Sequence, residues 1–253
     1  MNKKTLVYTS IGIMILIIST FIYLIYFSLP ASFPSEKQLI EEINSTFPEA
    51  EATEIQDVFD VADRQRYVPF KSNETSYGKS FWVWDKYRWR VAYIDSVGEP
   101  LLWRINKNDP SSYHIVWNIH PDDQLKEIQF YLTRDRGYSI RENTKETYYP
   151  KVQMRQKISF EEEGYGALKI PKDWASFVTT INDTQAVKQS NLDALFTGTS
   201  LEQQVFYGWL PYDRANKVAF PSNSVNGNGY SNGDIELDFV MILNEIEVDV
   251  QLY

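Results

Sequence analysis

The chain opens on an uninterrupted apolar run: no charge falls between Lys4 and Glu36, and Leu6 to Leu29 is apolar almost throughout. As a helix this run is long enough to cross the ~30 Å hydrocarbon layer of a bilayer. It also exceeds the roughly 7–15 apolar residues of a secretory signal and passes through Tyr26 and Phe27 into "SLPAS" with no small-x-small site. The pattern predicts a retained anchor rather than a cleaved leader.

The apolar spacing then becomes helical for one short stretch. After the stiff linker "PASFPS", Ser35 with Gln38 forms a capping box for a helix to about Phe47, with Leu39, Ile40, Ile43 and Phe47 on its inner face. "ATEIQDVFDVAD" reads as an ambiguous strand. From Tyr87 the period is two. Tyr87, Trp89, Val91 and Tyr93 oppose Arg88, Arg90, Ala92 and Ile94; Leu101, Trp103 and Ile105 oppose Leu102 and Arg104; Tyr113, Ile115, Trp117 and Ile119 oppose His114, Val116, Asn118 and His120. Joined by "SVGEP" and "NKNDPSS", these predict an antiparallel meander with one aromatic and aliphatic face. Most of the rings crowded into "FWVWDKYRWRVAYID" are thereby expected in a core.

Helix signals return at "HPDDQLKEIQFYLTRDRG": Pro121, Asp122 and Asp123 at the start, Arg134 and Arg136 near the end, then Gly137. They predict a helix with Leu125, Ile128 and Leu132 toward the sheet, although the alternation Ile128, Phe130, Leu132 also fits a strand. Val152, Met154, Ile158 and Phe160 mark a strand, "GALKIP" a short one, and Trp174, Phe177, Val178 and Ile181 an amphipathic helix. Ser200 with Gln203 suggests a capped helix in "LEQQVFYGWL". Past the loop "PSNSVNGNGYSNG", a turn at Asn244-Glu245 would pair Leu243 with Ile246, Met241 with Val248, Phe239 with Val250 and Leu237 with Leu252 in a C-terminal hairpin.

The expected fold class is α+β, a mainly antiparallel sheet with helices packed on its apolar face, preceded by one N-terminal transmembrane helix. The expected organisation is a cytoplasmic stub and anchor over 1–29, a linker and juxtamembrane helix over 30–52, and an exported domain over 53–253.

Charge adds direction. Lys3 and Lys4 precede the apolar run and Glu36, Glu41 and Glu42 follow it, which places the N-terminus in the cytoplasm. The chain has a net charge of −9, and without Lys3 and Lys4 the remainder holds 23 basic against 34 acidic residues, a net −11. That acidity argues against a nucleic-acid partner. With no cysteine there is no disulfide, no lipid acceptor and no thiolate metal site. A disulfide-free exported domain suits a bacterial cell envelope, and the expected location is a single-pass protein of the cell membrane with an extracytoplasmic domain.

Most chemical motifs fail. "GKS" at 78–80 lacks the upstream glycine and the helix of a phosphate loop, and "SVNGNGYSNGDIE" lacks the first and twelfth acids of a calcium loop. No motif implies a cofactor. His114 and His120, six residues apart on one strand, lie about 20 Å from each other and cannot share a metal. His120 with Asp122 and Asp123 offers a local metal or acid/base group, or simply a strand end beside a cap.

Two charge groups are left. Arg88, Arg90 and Arg104, with His114 and His120, would form a basic outer face suited to carboxylate or phosphate groups. Glu236 and Asp238, facing Glu247 and Asp249 across the hairpin, would suit a calcium ion or an acid pair at glycosidase spacing. Each face also reads as ordinary solvated surface, and the acidic face can meet the basic one within one molecule. The leading expectation is a non-catalytic binding or interaction domain at the outer membrane face, contacting an anionic envelope polymer or a protein partner. The alternative is an envelope polysaccharide hydrolase using the hairpin carboxylates.

Overall fold

The computed structural model of the chain describes residues 3–27, 29–73, 76–141, 145–160, 164–189 and 205–249. Among them are three helices, α1 (Lys3–Phe27), α2 (Glu36–Thr46) and α3 (Lys172–Gln189). The first sheet contains β1 (Ala52–Ile55), β2 (Phe59–Ala62), β3 (Gln65–Ser72), β4 (Tyr77–Asp85), β5 (Arg88–Asp95) and β14 (Gly229–Ser231), in the order β1-β3-β4-β5-β14 with β2 also on β3. The second contains β6 (Leu101–Trp103), β7 (His114–Asn118), β12 (Tyr165–Lys169) and β15 (Leu237–Phe239), ordered β12-β7-β6-β15. The third contains β8 (Leu125–Arg134), β11 (Val152–Ser159), β13 (Phe206–Asp213) and β16 (Met241–Ile242), ordered β11-β8-β13-β16. A separate hairpin joins β9 (Gly137–Arg141) to β10 (Lys145–Tyr149). Every pairing is antiparallel except β13 with β16.

The layers follow from alternation. On β4, Trp82 and Trp84 turn toward Leu39 and Ile43 of α2, while Phe81 turns the other way to meet Tyr67, Leu101, Trp103 and Val116 between the first and second sheets. On β6 and β7 the opposite parity, Leu102, Ile115 and Trp117, packs with Ile128, Phe130 and Leu132 of β8, Trp209 of β13, and Trp174 and Val178 of α3. Tyr131, Leu210 and Tyr212 on the far face of the third sheet gather Leu243 and Val248. The order of layers is α2, first sheet, second sheet, third sheet, with α3 closing the core between the last two. A stack of this kind leaves the middle sheet with no solvated face, so its strands are apolar on both sides.

The mainly antiparallel α+β architecture matches the expectation, and α2 starts as expected: Gln38 Oε1 accepts from Ser35 N and from Ser35 Oγ, both at 2.9 Å. Three expectations change. The meander is split, because β5 pairs with β4 and β14 while β6 and β7 pair in a different sheet. A bulge also interrupts β5, where Phe81 pairs with Tyr93 but Trp82 with Val91. Beyond it the faces exchange, and Ile94 joins Trp89 and Val91 in the α2 core.

Residues 125–134 form a strand, not a helix. Central between β11 and β13, β8 is buried on both faces, a burden that alternation satisfies and a single helical stripe does not. The helix-start signals are spent on a single 3-10 turn, Pro121–Asp123, with His120 as its cap. The C-terminal hairpin is not formed by the described residues either: β15 adds to β6, β16 adds parallel to β13, and Glu245–Glu247 is a 3-10 turn where the second hairpin strand would begin, while Val250 and Leu252, the expected partners of Phe239 and Leu237, lie outside the described residues. Residues 206–210 of the expected capped helix belong to β13, and the Ser200 to Gln203 cap lies outside the described residues.

Helix α1 differs from the rest. Six consecutive residues, Ile13 to Ile18, are each 46–67 % exposed. At 100° per residue they cover every side of the helix, so no side of it is packed on the domain there. Among the described residues no helix is long and apolar enough to cross a membrane; the unbroken described run of α1 side chains is residues 7–21. The transmembrane reading rests on the sequence of α1 together with this exposure.

Candidate functional site

The five residues of the expected basic face do not share a surface. Arg88 opens β5 and is exposed. Arg90 is held by Asp85 at 3.0 Å and by Asp234. Arg104 pairs with Asp238 and lies over the Tyr113 ring at 5.7 Å. His114 Nδ1 meets the Ser112 carbonyl at 2.8 Å, and burial lowers the pKa of its imidazole, that carbonyl opposing and Lys169 assisting. His120 lies elsewhere, in a cleft.

The carboxylates are equally dispersed. Glu236 pairs with Lys107 at 3.0 Å and Asp238 with Arg104. Glu247 accepts from Asn244 N at 2.6 Å, closing its own turn, and Asp249 pairs with Lys151 at 3.1 Å. With no hairpin to align them, Glu236 and Asp238 instead meet basic residues of the second sheet. The acidic segment does meet two of the arginines, within one molecule. Among the described residues no three histidine or acidic side chains are grouped to hold a metal ion.

Where strand ends of all three sheets converge there is a cleft of about 530 Å³. The first sheet contributes Gln56 after β1, the Glu54–Lys71 ion pair at 2.8 Å and Tyr77; the segment after β7 contributes His120 and Gln124; Tyr165 comes from β12 and Arg214 from the turn after β13. Ile119, Leu125 and Phe160 supply apolar wall.

His120 is fixed from three directions. Its backbone N donates to Ser224 Oγ at 2.8 Å, its ring meets Tyr77 edge-on at 4.8 Å, and its Nδ1 accepts from Asp122 N at 3.0 Å. A neutral imidazole that accepts at Nδ1 carries its proton on Nε2, so the second nitrogen is a donor. The two aspartates expected to assist it do structural work. Asp122 supplies that backbone donor and holds its exposed carboxylate 3.9 Å from His120 Nδ1, and the Asp123 carboxylate accepts from Asn223 N, Asn223 Nδ2 and Ser224 Oγ, pinning the 221–225 loop behind the histidine.

Beneath the cleft, Asn118 is wholly buried and its Nδ2 lies 2.7 Å from Gln56 Oε1, 3.1 Å from Phe70 O and 2.8 Å from Gly78 O. This amide ties the second sheet to β3 and β4 and aims Gln56. Further in, Lys79 is fully buried, 3.3 Å from Asp95 and donating to the Glu99 carbonyl. Burial lowers its pKa, against the attraction of Asp95 and Glu99. It does not line the cleft and acts as a tie between β4 and the 95–99 loop.

Of the candidate site residues read from the sequence, only His120 belongs to the cleft. Gln56, Tyr77, Tyr165 and Arg214 lie far apart along the chain, and only the convergence of three sheets brings them together. Compared with protein-family models, curated proteins and solved structures, the chain matches none. Function is read from this geometry alone.

Proposed function

We propose that this chain is a single-pass membrane protein whose domain, at the outer face of a bacterial cytoplasmic membrane, binds an anionic envelope polymer in the three-sheet cleft without turning it over. The observation that carries the reading is the cleft itself, where a donating His120 and Arg214 face the amides of Gln56 and Gln124 and the rings of Tyr77 and Tyr165. Rings and amides suit the faces and hydroxyls of a sugar or polyol, and a guanidinium suits its carboxylate or phosphate. The anchor reading is supported by an apolar helix exposed on every side, a surface that hydrocarbon satisfies and water does not. The hydrolase alternative finds no support in this cleft, because Glu236 and Asp238 are ion-paired elsewhere and do not line it.

The test is thermal unfolding of the detergent-solubilised full chain with poly(glycerol phosphate), with a polyuronate and with a neutral glucan. Ligand at about 100 times its dissociation constant stabilises the native state by ~2.7 kcal/mol. An upward shift with either anionic polymer is expected, lost in Arg214→Ala and in His120→Ala and retained in Arg88→Ala. A shift that survives both cleft substitutions moves the ligand elsewhere on the domain.

A further inference from the structure

The stretch "WDKYRW" retains an unexplained feature. Its tryptophans are core, but the turn between them, Asp85 to Arg88, joins β4 to β5 through Lys86 at φ 49° and Tyr87 at φ 68°. A two-residue hairpin with both central residues left-handed takes Asn-Gly by preference, and other side chains adopt it at a cost. Burial does not offset that cost, since the Lys86 side chain is 73 % exposed and Tyr87 is 43 % exposed. The chain keeps a ring and a cation at a projecting tip where smaller residues would fold more easily.

The location of the tip supplies the reason. Trp89 Nε1 donates to the Ala31 carbonyl at 3.0 Å, and the Phe33 ring meets Trp89 and Trp82 edge-on at 4.9 and 5.8 Å. Helix α1 ends at Phe27, four residues before Ala31, so even a fully extended chain leaves that carbonyl within about 14 Å of the helix end. The hairpin end is therefore tied beside the point where α1 gives way to the linker. Trp and Tyr favour the headgroup level of a bilayer, and Lys and Arg are drawn to anionic lipids. Asp85, the acid of the turn, is engaged by Arg90 at 3.0 Å and lies 3.8 Å from Lys86 Nζ, an exposed contact that the lysine can exchange for a lipid phosphate. Near the linker, α2 presents Glu36 and Glu41 beside Lys37 and has no comparable positive tip.

We infer that the β4–β5 turn docks on the lipid surface next to α1, with the Tyr87 ring at headgroup level and Lys86 and Arg88 against the phosphates of anionic lipids. This rests on the membrane reading of α1, and the two can fail separately. It gives the domain a second point of contact with the membrane beside α1, and so fixes its orientation there.

The absence of native cysteine makes the test direct. Single cysteines at Ile15, Tyr87 and Ile246 are spin-labelled in the full chain, reconstituted in vesicles of phosphatidylcholine with equal phosphatidylglycerol and of phosphatidylcholine alone. Accessibility to oxygen and to a water-soluble nickel chelate is then measured. The expected result is hydrocarbon exposure at position 15, protection from nickel at 87 that is stronger on the anionic vesicles, and full nickel access at 246. Lys86→Gln with Arg88→Gln should lower the docked-to-free ratio on anionic vesicles roughly tenfold or more. A label at 87 as open to nickel as the one at 246, with position 15 in hydrocarbon, overturns the docking and leaves the anchor standing. Position 15 in water overturns the anchor itself. Protection at 87 indifferent to lipid charge and to the double substitution overturns the lipid-phosphate contact.

Discussion

Lys79 sits between Gly78 and Ser80 without solvent exposure, though nothing in "YGKSFW" distinguishes it from the other lysines of the chain. Its ammonium depends on Asp95, and Asp95→Asn, which leaves a buried charge facing an amide, is expected to cost about 3–5 kcal/mol in denaturant unfolding. Glu99 behaves in the opposite sense. Half-buried, its carboxyl titrates above the usual range, burial acting first, Lys79 opposing and Asp95 adding to it. An acid raised on folding contributes stability that is fully present below its unfolded value and lost as pH rises through the folded one. Glu99→Gln should therefore raise the melting temperature at pH 7, since the backbone carbonyl that receives Lys79 is retained, and the gain should fade as pH falls toward the model-peptide value of 4.5. Melting curves across that range check both. The pairing of Arg104 with Asp238 was within reach of the sequence as one option among three, whereas Asp234, the partner of Arg90, was not among the expected acids. The depth of Lys79 was not, because burial is a property of neighbouring strands.

At the scale of elements, what was legible were those whose period belongs to one buried face. The α2 cap and stripe, β11 and the helix behind Pro171 are of that kind. The elements misread share one circumstance: a neighbour not adjacent in sequence decides them. Residues 121–136 carry Pro, Asp and Arg where a helix wants them, yet 125–134 lie between β11 and β13, where alternation puts Ile128, Phe130 and Leu132 on one buried face and Glu127, Gln129 and Tyr131 on the other. Of the apolar residues that suggested a C-terminal hairpin, Leu243 and Val248 are buried against the third sheet, while Phe239 and Ile246 are left exposed once β15 and β16 each join a different sheet. Gly208 makes this dependence testable. A Cβ there would come within 2.5 Å of Leu243 Cγ, so β13 can take β16 at its edge only while residue 208 has no side chain. Gly208→Ala is expected to destabilise by about 1–3 kcal/mol through overpacking. Combined with Leu243→Ala it should cost less than the two singles summed, which a double-mutant cycle in denaturant measures.

For the whole molecule, the layers explain why the expected site dissolved and another took its place. Charges expected to meet a ligand pair within the chain instead, at partly exposed positions such as Arg90, Arg104 and Asp238, and the open ground is where strand ends meet. The cleft was invisible because it draws on residues from 54 to 214, and no local pattern spans that distance. Sidedness is open to the same cysteine chemistry. A membrane-impermeant maleimide added to intact cells should label Phe220→Cys, whose parent residue is 66 % exposed, and spare Asn2→Cys until the cells are broken. The reverse pattern would invert the proposed orientation.

The strands at 237–242 lie along the edges of two sheets at once, β15 beside β6 and β16 beside β13. Their partners lie as much as 138 residues earlier, at Leu101 opposite Phe239. A chain delivered from its N-terminus therefore waits for almost its last described residues before either edge is covered. Until then two unpaired strands, the kind of edge that recruits foreign backbone, stay open. Delivery of the final segment is thus the step that turns a vulnerable intermediate into a closed domain, and a holding chaperone would have its work confined to that interval.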